Sequence, residues 1–138
     1  MTLTFELRIR PMPHQSVRFT RSGRTFKPKK IIDYQSYVQR LVQEQLPEDF
    51  VTIPAGVPIF IRRLTYQYEW SSSTPKKKRI GKVYKPTKPD LQDNLNKAFL
   101  DALEGIVYEQ DQNIVSINGL EKYYGDGDLI TLTIEYDA

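Results

Sequence analysis

Apolar residues follow two periods along this chain. Residues 2–10 alternate, with Leu3, Phe5, Leu7 and Ile9 on one side and Thr2, Thr4, Glu6, Arg8 and Arg10 on the other. That is the period of a half-buried strand, which Pro11 and Pro13 end. Ile31, Tyr34, Val38, Leu41, Val42 and Leu46 recur at helical spacing until Pro47, predicting an amphipathic packing helix over 31–46. Glu48–Gly56 reads as a loop. Val57 to Trp70 is rich in Ile, Val, Thr, Phe and Tyr, and predicts a long strand. Its apolar set starts on odd positions (Val57, Ile59, Ile61) and continues on even ones (Leu64, Tyr66, Tyr68), which requires a bulge or bend near Arg62–Arg63.

A second helix follows from Leu91, Leu95, Ala98, Phe99, Ala102 and Leu103, with Pro89 before its start and Gly105 placed to cap its end. Residues 113–124 and 129–136 read as two strands joined by G-D-G-D, a turn in the hairpin style. Ile130, Leu132, Ile134 and Tyr136 share one face of the second. Asp126 and Asp128 read as turn residues only. The predicted order is β-α-β-α-β-β, a single two-layer α+β domain with two main helices against a mixed sheet.

Composition narrows the class. A chain of 138 residues is most simply one domain with a real core. With no cysteine, disulfide and thiolate chemistry are excluded. No apolar run approaches membrane-spanning length, and Met1 is not followed by a charged-then-apolar signal pattern, so a soluble, cytoplasmic protein is expected.

Charge changes the picture more. The net charge of +3 conceals a split: residues 1–89 hold 18 Lys/Arg against 6 Asp/Glu, net +12, whereas residues 90–138 hold 2 against 11, net −9. A basic surface beside an acidic centre suits a polyanion presented to a metal. Two stretches carry the basic charge without a single acid. In 14–30 it lies on Arg18, Arg21, Arg24, Lys27, Lys29 and Lys30, with Phe19 and Phe26 between them. In 71–89 it lies on Lys76, Lys77, Lys78, Arg79, Lys82, Lys85 and Lys88. Both read as DNA-backbone contacts, because phosphate binding needs Lys and Arg but no strict spacing. The second stretch has the composition of a mobile loop. Its P-K-K-K-R also resembles a nuclear localisation signal, a match of low specificity. Trp70 and Tyr84 are of a type that stacks on bases, although aromatic residues at strand ends more often belong to the core. His14, the only histidine, is given no chemistry.

The basic loop feeds directly into Asp90, Asp93 and Lys97. If the helix includes Asp90, these three share one face, and Asp111 is close enough in the chain to fold back beside them. Three carboxylates and a lysine suit a hard cation and phosphodiester hydrolysis. A plain structural reading competes: Asp90 as N-cap, Asp93 favoured by the helix dipole, and Asp93–Lys97 as a surface pair. Asp101 and Glu104 fit that plain pattern and receive no role.

The stretch K-P-D-L-Q-D-N-L-N-K, followed by L-D-A-L-E-G-I-V-Y and E-Q-D-Q-N-I, resembles the RusA-type Holliday-junction resolvases of bacteria and their phages. Their hallmark is D-x-D-N-L-x-K, then D-A-L-N-G, then an acidic pair before a short polar step and a strand. The specific match covers residues 86–115. The resemblance implies one RusA-like nuclease domain over residues 1–138. It implies a homodimeric, Mg²⁺-dependent endodeoxyribonuclease, with Mn²⁺ as substitute, that cuts four-way DNA junctions symmetrically in recombination and repair. Such a protein is bacterial or phage-encoded, cytoplasmic and nucleoid-associated. By the same match Asp90, Asp93 and Asp111 correspond to the metal-binding aspartates and Lys97 to the essential lysine. The chain departs from the pattern in two places. Leu91 and Gln92 separate the first two aspartates where the family has one residue, and Gln110–Asp111 stands where the family has an acidic pair, with Glu109 one residue earlier. Asp90 is therefore expected in a pre-helical loop, its carboxylate facing the other two. Rival readings are a flap- or fork-specific nuclease of the same fold, a non-catalytic junction-binding module, and a small RNA-binding protein.

Overall fold

The computed structural model describes residues 1–14, 18–19, 23, 25–26 and 28–137, with backbone alone at 18–19 and 25–26. Among the described residues are eight strands and two α-helices: β1 (Thr2–Leu7), β2 (Arg18–Phe19), β3 (Thr25–Phe26), α1 (Lys29–Gln45), β4 (Ile59–Glu69), β5 (Val83–Tyr84), α2 (Asn96–Leu103), β6 (Ile114–Ile117), β7 (Leu120–Gly125) and β8 (Leu129–Glu135). The class is α+β with a mixed sheet and two main helices, as the periodicity predicts. Short pairs appear where only loops are expected: β2 with β3, and β5 against β7.

The strand β4 is the spine of the sheet. The order is β1-β8-β4-β7-β5, with β6 also paired to β4. β8 is antiparallel to β4, whereas β6 and β7 are both parallel to it. The bulge read from the switch of apolar parity lies between Ile61 and Arg63, where the register with β8 shifts. Arg62 and Arg63 are both exposed there, and the buried set resumes at Leu64.

Two expectations for the C-terminal strands are corrected. The segment 113–124 is not one strand but breaks at Asn118–Gly119, opposite the β4 bulge. The Asn118 amide donates to Ile61 O at 2.8 Å, and the Leu64 amide donates to Gly119 O at 3.2 Å, so the break brackets the bulge. Gly119 has φ +60, and a Cβ there would lie 3.1 Å from Arg62 O, so a side chain would be both strained and crowded. The G-D-G-D turn does not close a hairpin either, because β7 and β8 flank β4 on opposite sides. The connection passes over the end of β4 and is held there by it. The Trp70 amide donates to Gly125 O at 3.2 Å, the Glu69 amide to Asp128 Oδ1 at 2.9 Å, and Gln67 Nε2 to Gly127 O at 2.8 Å. Alternation alone cannot separate a hairpin from two strands that straddle a third.

The helices pack together over the sheet. α1 ends at Leu46 in extended conformation, the geometry that Pro47 forces on the residue before it. Its buried stripe includes Ile31, Tyr34, Val38 and Val42, and Gln35 and Gln39 donate to Ala98 O (2.9 Å) and Ala102 O (3.1 Å) of α2. α2 buries Ala98, Phe99, Ala102 and Leu103, ending at Gly105 with φ +85, the cap the sequence predicts. Phe99 meets Tyr66 of β4 edge-on, with ring centroids 6.1 Å apart at 88°. Phe99→Ala is expected to cost about 3–5 kcal/mol of unfolding free energy, since both rings are fully buried and truncation leaves a cavity. A lower denaturant midpoint with unchanged slope checks this; an unchanged midpoint contradicts the packing described.

Candidate active site and nucleic-acid interface

The extra residue between Asp90 and Asp93 is accommodated by a π-helical turn. Leu91–Leu95 winds as a π-helix directly before α2. The Leu95 amide donates to Asp90 O at 3.0 Å, and the Asn96 amide bonds to Leu91 O, each five residues back instead of four. A π turn is what results when one residue is added to an α-helix and the flanking turns keep their phase. Asp90 stands just outside it, with extended backbone (φ −67, ψ 133) and no side-chain cap bond, after a cis Lys88–Pro89 peptide. The N-terminal segment is tied to the same turn, since the His14 amide donates to Asn94 O at 2.8 Å.

Beyond the turn, one face of α2 and the short 3₁₀ turn Asp111–Asn113 enclose an open cleft of about 490 Å³. Asp93, Asn96, Lys97, Asp101, Asp111 and Gln92 supply its polar lining, with Leu100, Ile114 and Ile117 as apolar wall. Asp93, Lys97 and Asp111, expected at one site, thus border the same space. Asp90 is not among the lining residues. Glu109, the other acid near Asp111, accepts the Ala55 amide at 3.0 Å and serves the loop before β4.

Asp101 and Glu104, which received no role from the sequence, lie beside Asp111. One carboxylate oxygen from each of the three lies within 4.8 Å of the others. Asp101 also accepts from Lys97 Nζ at 3.2 Å, so this i, i+4 pair sits at the cleft instead of on an idle surface. The available signal was the spacing Asp93, Lys97, Asp101, each four residues on and hence on one helical stripe. Asn96 was missed as well: nine-tenths buried, it accepts the Tyr66 hydroxyl at 2.9 Å and anchors the cleft to β4. Behind the acids, Tyr108 donates to Leu100 O at 2.5 Å. Burial pushes its phenol far up, and the charges of Asp111, Glu104 and Asp101 push it further. The donor set is oxygen-rich, with no histidine or cysteine, which fits a hard divalent cation.

Of the expected DNA contacts, Lys29 and Lys30 are exposed in the first turn of α1, and Lys76, Lys77 and Lys78 are exposed on one 3₁₀ turn. Arg79 folds back on its own loop, Nε donating to Thr74 O at 3.0 Å and a terminal nitrogen to Ser71 O at 3.3 Å. Lys82 pairs with Glu121 at 2.9 Å. The hydrogen bond to Glu121 raises the Lys82 ammonium, while Lys82 first and the Tyr84 hydroxyl second hold the Glu121 carboxyl down. Lys85 lies over the rings of Tyr68 and Tyr124, and Lys88 is exposed. Far from hanging free, the loop is pinned by β5 to the edge of β7. Arg21, Arg24 and Lys27 lie outside the described residues, as does the side chain of Arg18.

Deleting Gln92 is expected to be tolerated. Removing one residue from the π turn converts its five-residue bonds to the four-residue bonds of α2, leaving Asp93 onward in place. Thermal melting within a few degrees of the parent, with junction binding retained, checks this; unfolding of the variant contradicts it.

The family model described as "Endodeoxyribonuclease RusA" matches residues 8–135. A protein of Bacillus subtilis (strain 168), "Uncharacterized protein YqaN", is 28% identical over 100 residues, which span 72% of this chain and 69% of that one.

Proposed function

Because the chain belongs to the RusA endodeoxyribonuclease family, we propose that it is a Mg²⁺-dependent homodimer resolving four-way DNA junctions by paired symmetric cuts. The coarser statement follows from membership itself: the chain is an endodeoxyribonuclease of a family acting on Holliday junctions. The observation that supports the finer reading is the shared cleft. Asp93, Lys97 and Asp111, drawn from the π turn, α2 and the 3₁₀ turn, border one open space.

In this reading Asp93 and Asp111 would hold the metal, with Asp101 and Glu104 as further carboxylates beside Asp111, and Asp90, which stands outside the cleft lining, would have to turn in to join them. A divalent cation held there would supply an activated water and offset charge on the phosphate. Lys97 is held at the cleft by Asp101 and meets the phosphate or the leaving oxygen with its positive charge. The apolar wall of Leu100, Ile114 and Ile117 limits water on one side, strengthening these interactions. Exposed Lys29, Lys30, Lys76, Lys77 and Lys78 grip the backbone, so recognition is mainly of junction shape. A four-way junction has two-fold symmetry, which paired cuts match with a C₂ dimer carrying one site per subunit. Among the described residues no helix is long and apolar enough to cross a membrane; a cytoplasmic, nucleoid-associated protein is the setting proposed.

Comparing initial cleavage rates on a labelled four-way junction, a flap and a replication fork tests the substrate. A clear preference for the junction is expected. Equal or faster cutting of flaps overturns the junction assignment in favour of a branched-DNA nuclease of the same fold.

A further inference from the structure

At the C-terminal end of β4 lies a second cleft, of about 360 Å³, lined by Arg10, Tyr68, Trp70, Lys85, Tyr124 and Glu69. Trp70 and Tyr124 stack with centroids 5.9 Å apart and planes 17° from parallel. The indole N–H donates to Asp126 Oδ1 at 3.1 Å, fixing how the ring is presented. Two cations crowd the same aromatic surface: Arg10 lies 5.0 Å from the Tyr68 ring centroid, and Lys85 lies 5.1 Å from Tyr68 and 5.2 Å from Tyr124. Arg10 is paired with Asp128 at 3.3 Å. Lys85 has no carboxylate partner among the described residues; its Nζ bonds the Thr87 hydroxyl at 3.0 Å and the Tyr124 hydroxyl at 3.4 Å.

We infer that this cleft binds an unpaired DNA nucleotide, its base stacked on the Trp70–Tyr124 platform and its phosphate on Lys85. Every base has a π-face, so such stacking tolerates sequence, and a neighbouring cation completes the site for a sugar-phosphate chain. A cleft made only to complete the core would bury its rings, yet Trp70 and Tyr124 both retain solvent exposure. Lys85 carries a positive charge that no carboxylate among the described residues neutralises, beside the partly exposed Tyr124 ring. Position adds an independent argument. Tyr68 is two residues beyond Tyr66, about 7 Å along the same face of β4, and the Tyr66 hydroxyl bonds Asn96 in the acidic cleft. The chain from Lys85 to Asp90 runs between the two clefts, held where Lys122 Nζ donates to Thr87 O and Pro89 O. A strand cut at the first cleft therefore passes the second where a branch point frees a base from its partner. The inference rests on the nuclease reading for the identity of the strand as DNA.

Trp70 is the only tryptophan, so its emission reports this cleft alone. The full chain, in EDTA to prevent cleavage, is titrated with a short oligothymidylate and with an abasic strand of equal length. Quenching by the oligothymidylate and none by the abasic strand is expected. With binding of the variants read from the anisotropy of end-labelled strands, Trp70→Ala should weaken oligothymidylate binding about five- to a hundred-fold and leave abasic binding unchanged, while Trp70→Phe preserves the preference. Equal quenching by both strands, no quenching by either, or a Trp70→Ala variant that still prefers bases overturns the proposal. The wild-type measurement requires no variant to fold. Junction cleavage in Mg²⁺ is scored separately: cleavage without quenching removes the base site alone, and quenching without cleavage removes the nuclease reading alone.

Discussion

Asp93→Asn is expected to abolish junction cleavage and to leave junction binding intact or tighter. The substitution keeps size and hydrogen bonding but removes the negative charge of a residue that borders the cleft with Lys97 and Asp111. Losing a group one shell removed from a metal costs about 10–100-fold, so loss of a carboxylate in direct contact is expected to cost more than that. Binding moves the other way because the DNA phosphates no longer meet this charge, and one fewer carboxylate opposes them at about 1 kcal/mol or more at contact distance. Asp93 is exposed and contributes no buried contact, so melting should not change. Single-turnover cleavage with a parallel binding titration decides it. Near-normal turnover in Asp93→Asn would remove this cleft as the hydrolytic centre.

The second large effect concerns salt. Neutralising Lys76, Lys77, Lys78 and Arg79 together is expected to weaken junction binding and flatten its dependence on salt concentration. Each phosphate contact contributes about 0.9 to the log–log slope. Arg79 is engaged with Thr74 O and Ser71 O, whereas the three lysines are exposed on one turn. The slope should therefore fall by about 2.7, three contacts, instead of the about 3.6 that four would give. Binding isotherms across a salt series supply the number. An unchanged slope means that this turn does not touch the DNA backbone.

Much of the fold is legible in the residues because single elements carry their own period. The half-buried strand at Thr2–Leu7, the helix stopped by Pro47 and the bulge at Arg62 all follow from local spacing. What could not be read depends on partners distant in sequence. That β7 and β8 straddle β4 is decided by hydrogen bonds from Trp70, Glu69 and Gln67 to the G-D-G-D turn, and neither strand's alternation encodes them. The break at Asn118–Gly119 is likewise set by the bulge it faces. At the site, the spacing of Asp93 and Lys97 marks one face of a helix, and Asp111 follows at a distance that a short return allows. Asp101 looked like half of an ordinary i, i+4 surface pair, and only the return of Asp111 and Glu104 alongside gives it neighbours. The insertion at Gln92 reads as a disturbance of spacing, and the structure winds this stretch as a π turn that leads directly into Asn96–Leu103.

The central claim is metal-dependent resolution of a junction at this cleft. An end-labelled mobile four-way junction, incubated with the wild-type chain in Mg²⁺ and in EDTA, tests it most directly when cut positions are mapped on all four strands. Paired cuts at symmetric positions on two opposed strands are expected in Mg²⁺, and none in EDTA. Tight binding with no cuts in Mg²⁺ or Mn²⁺, or cuts that persist in EDTA, would contradict it.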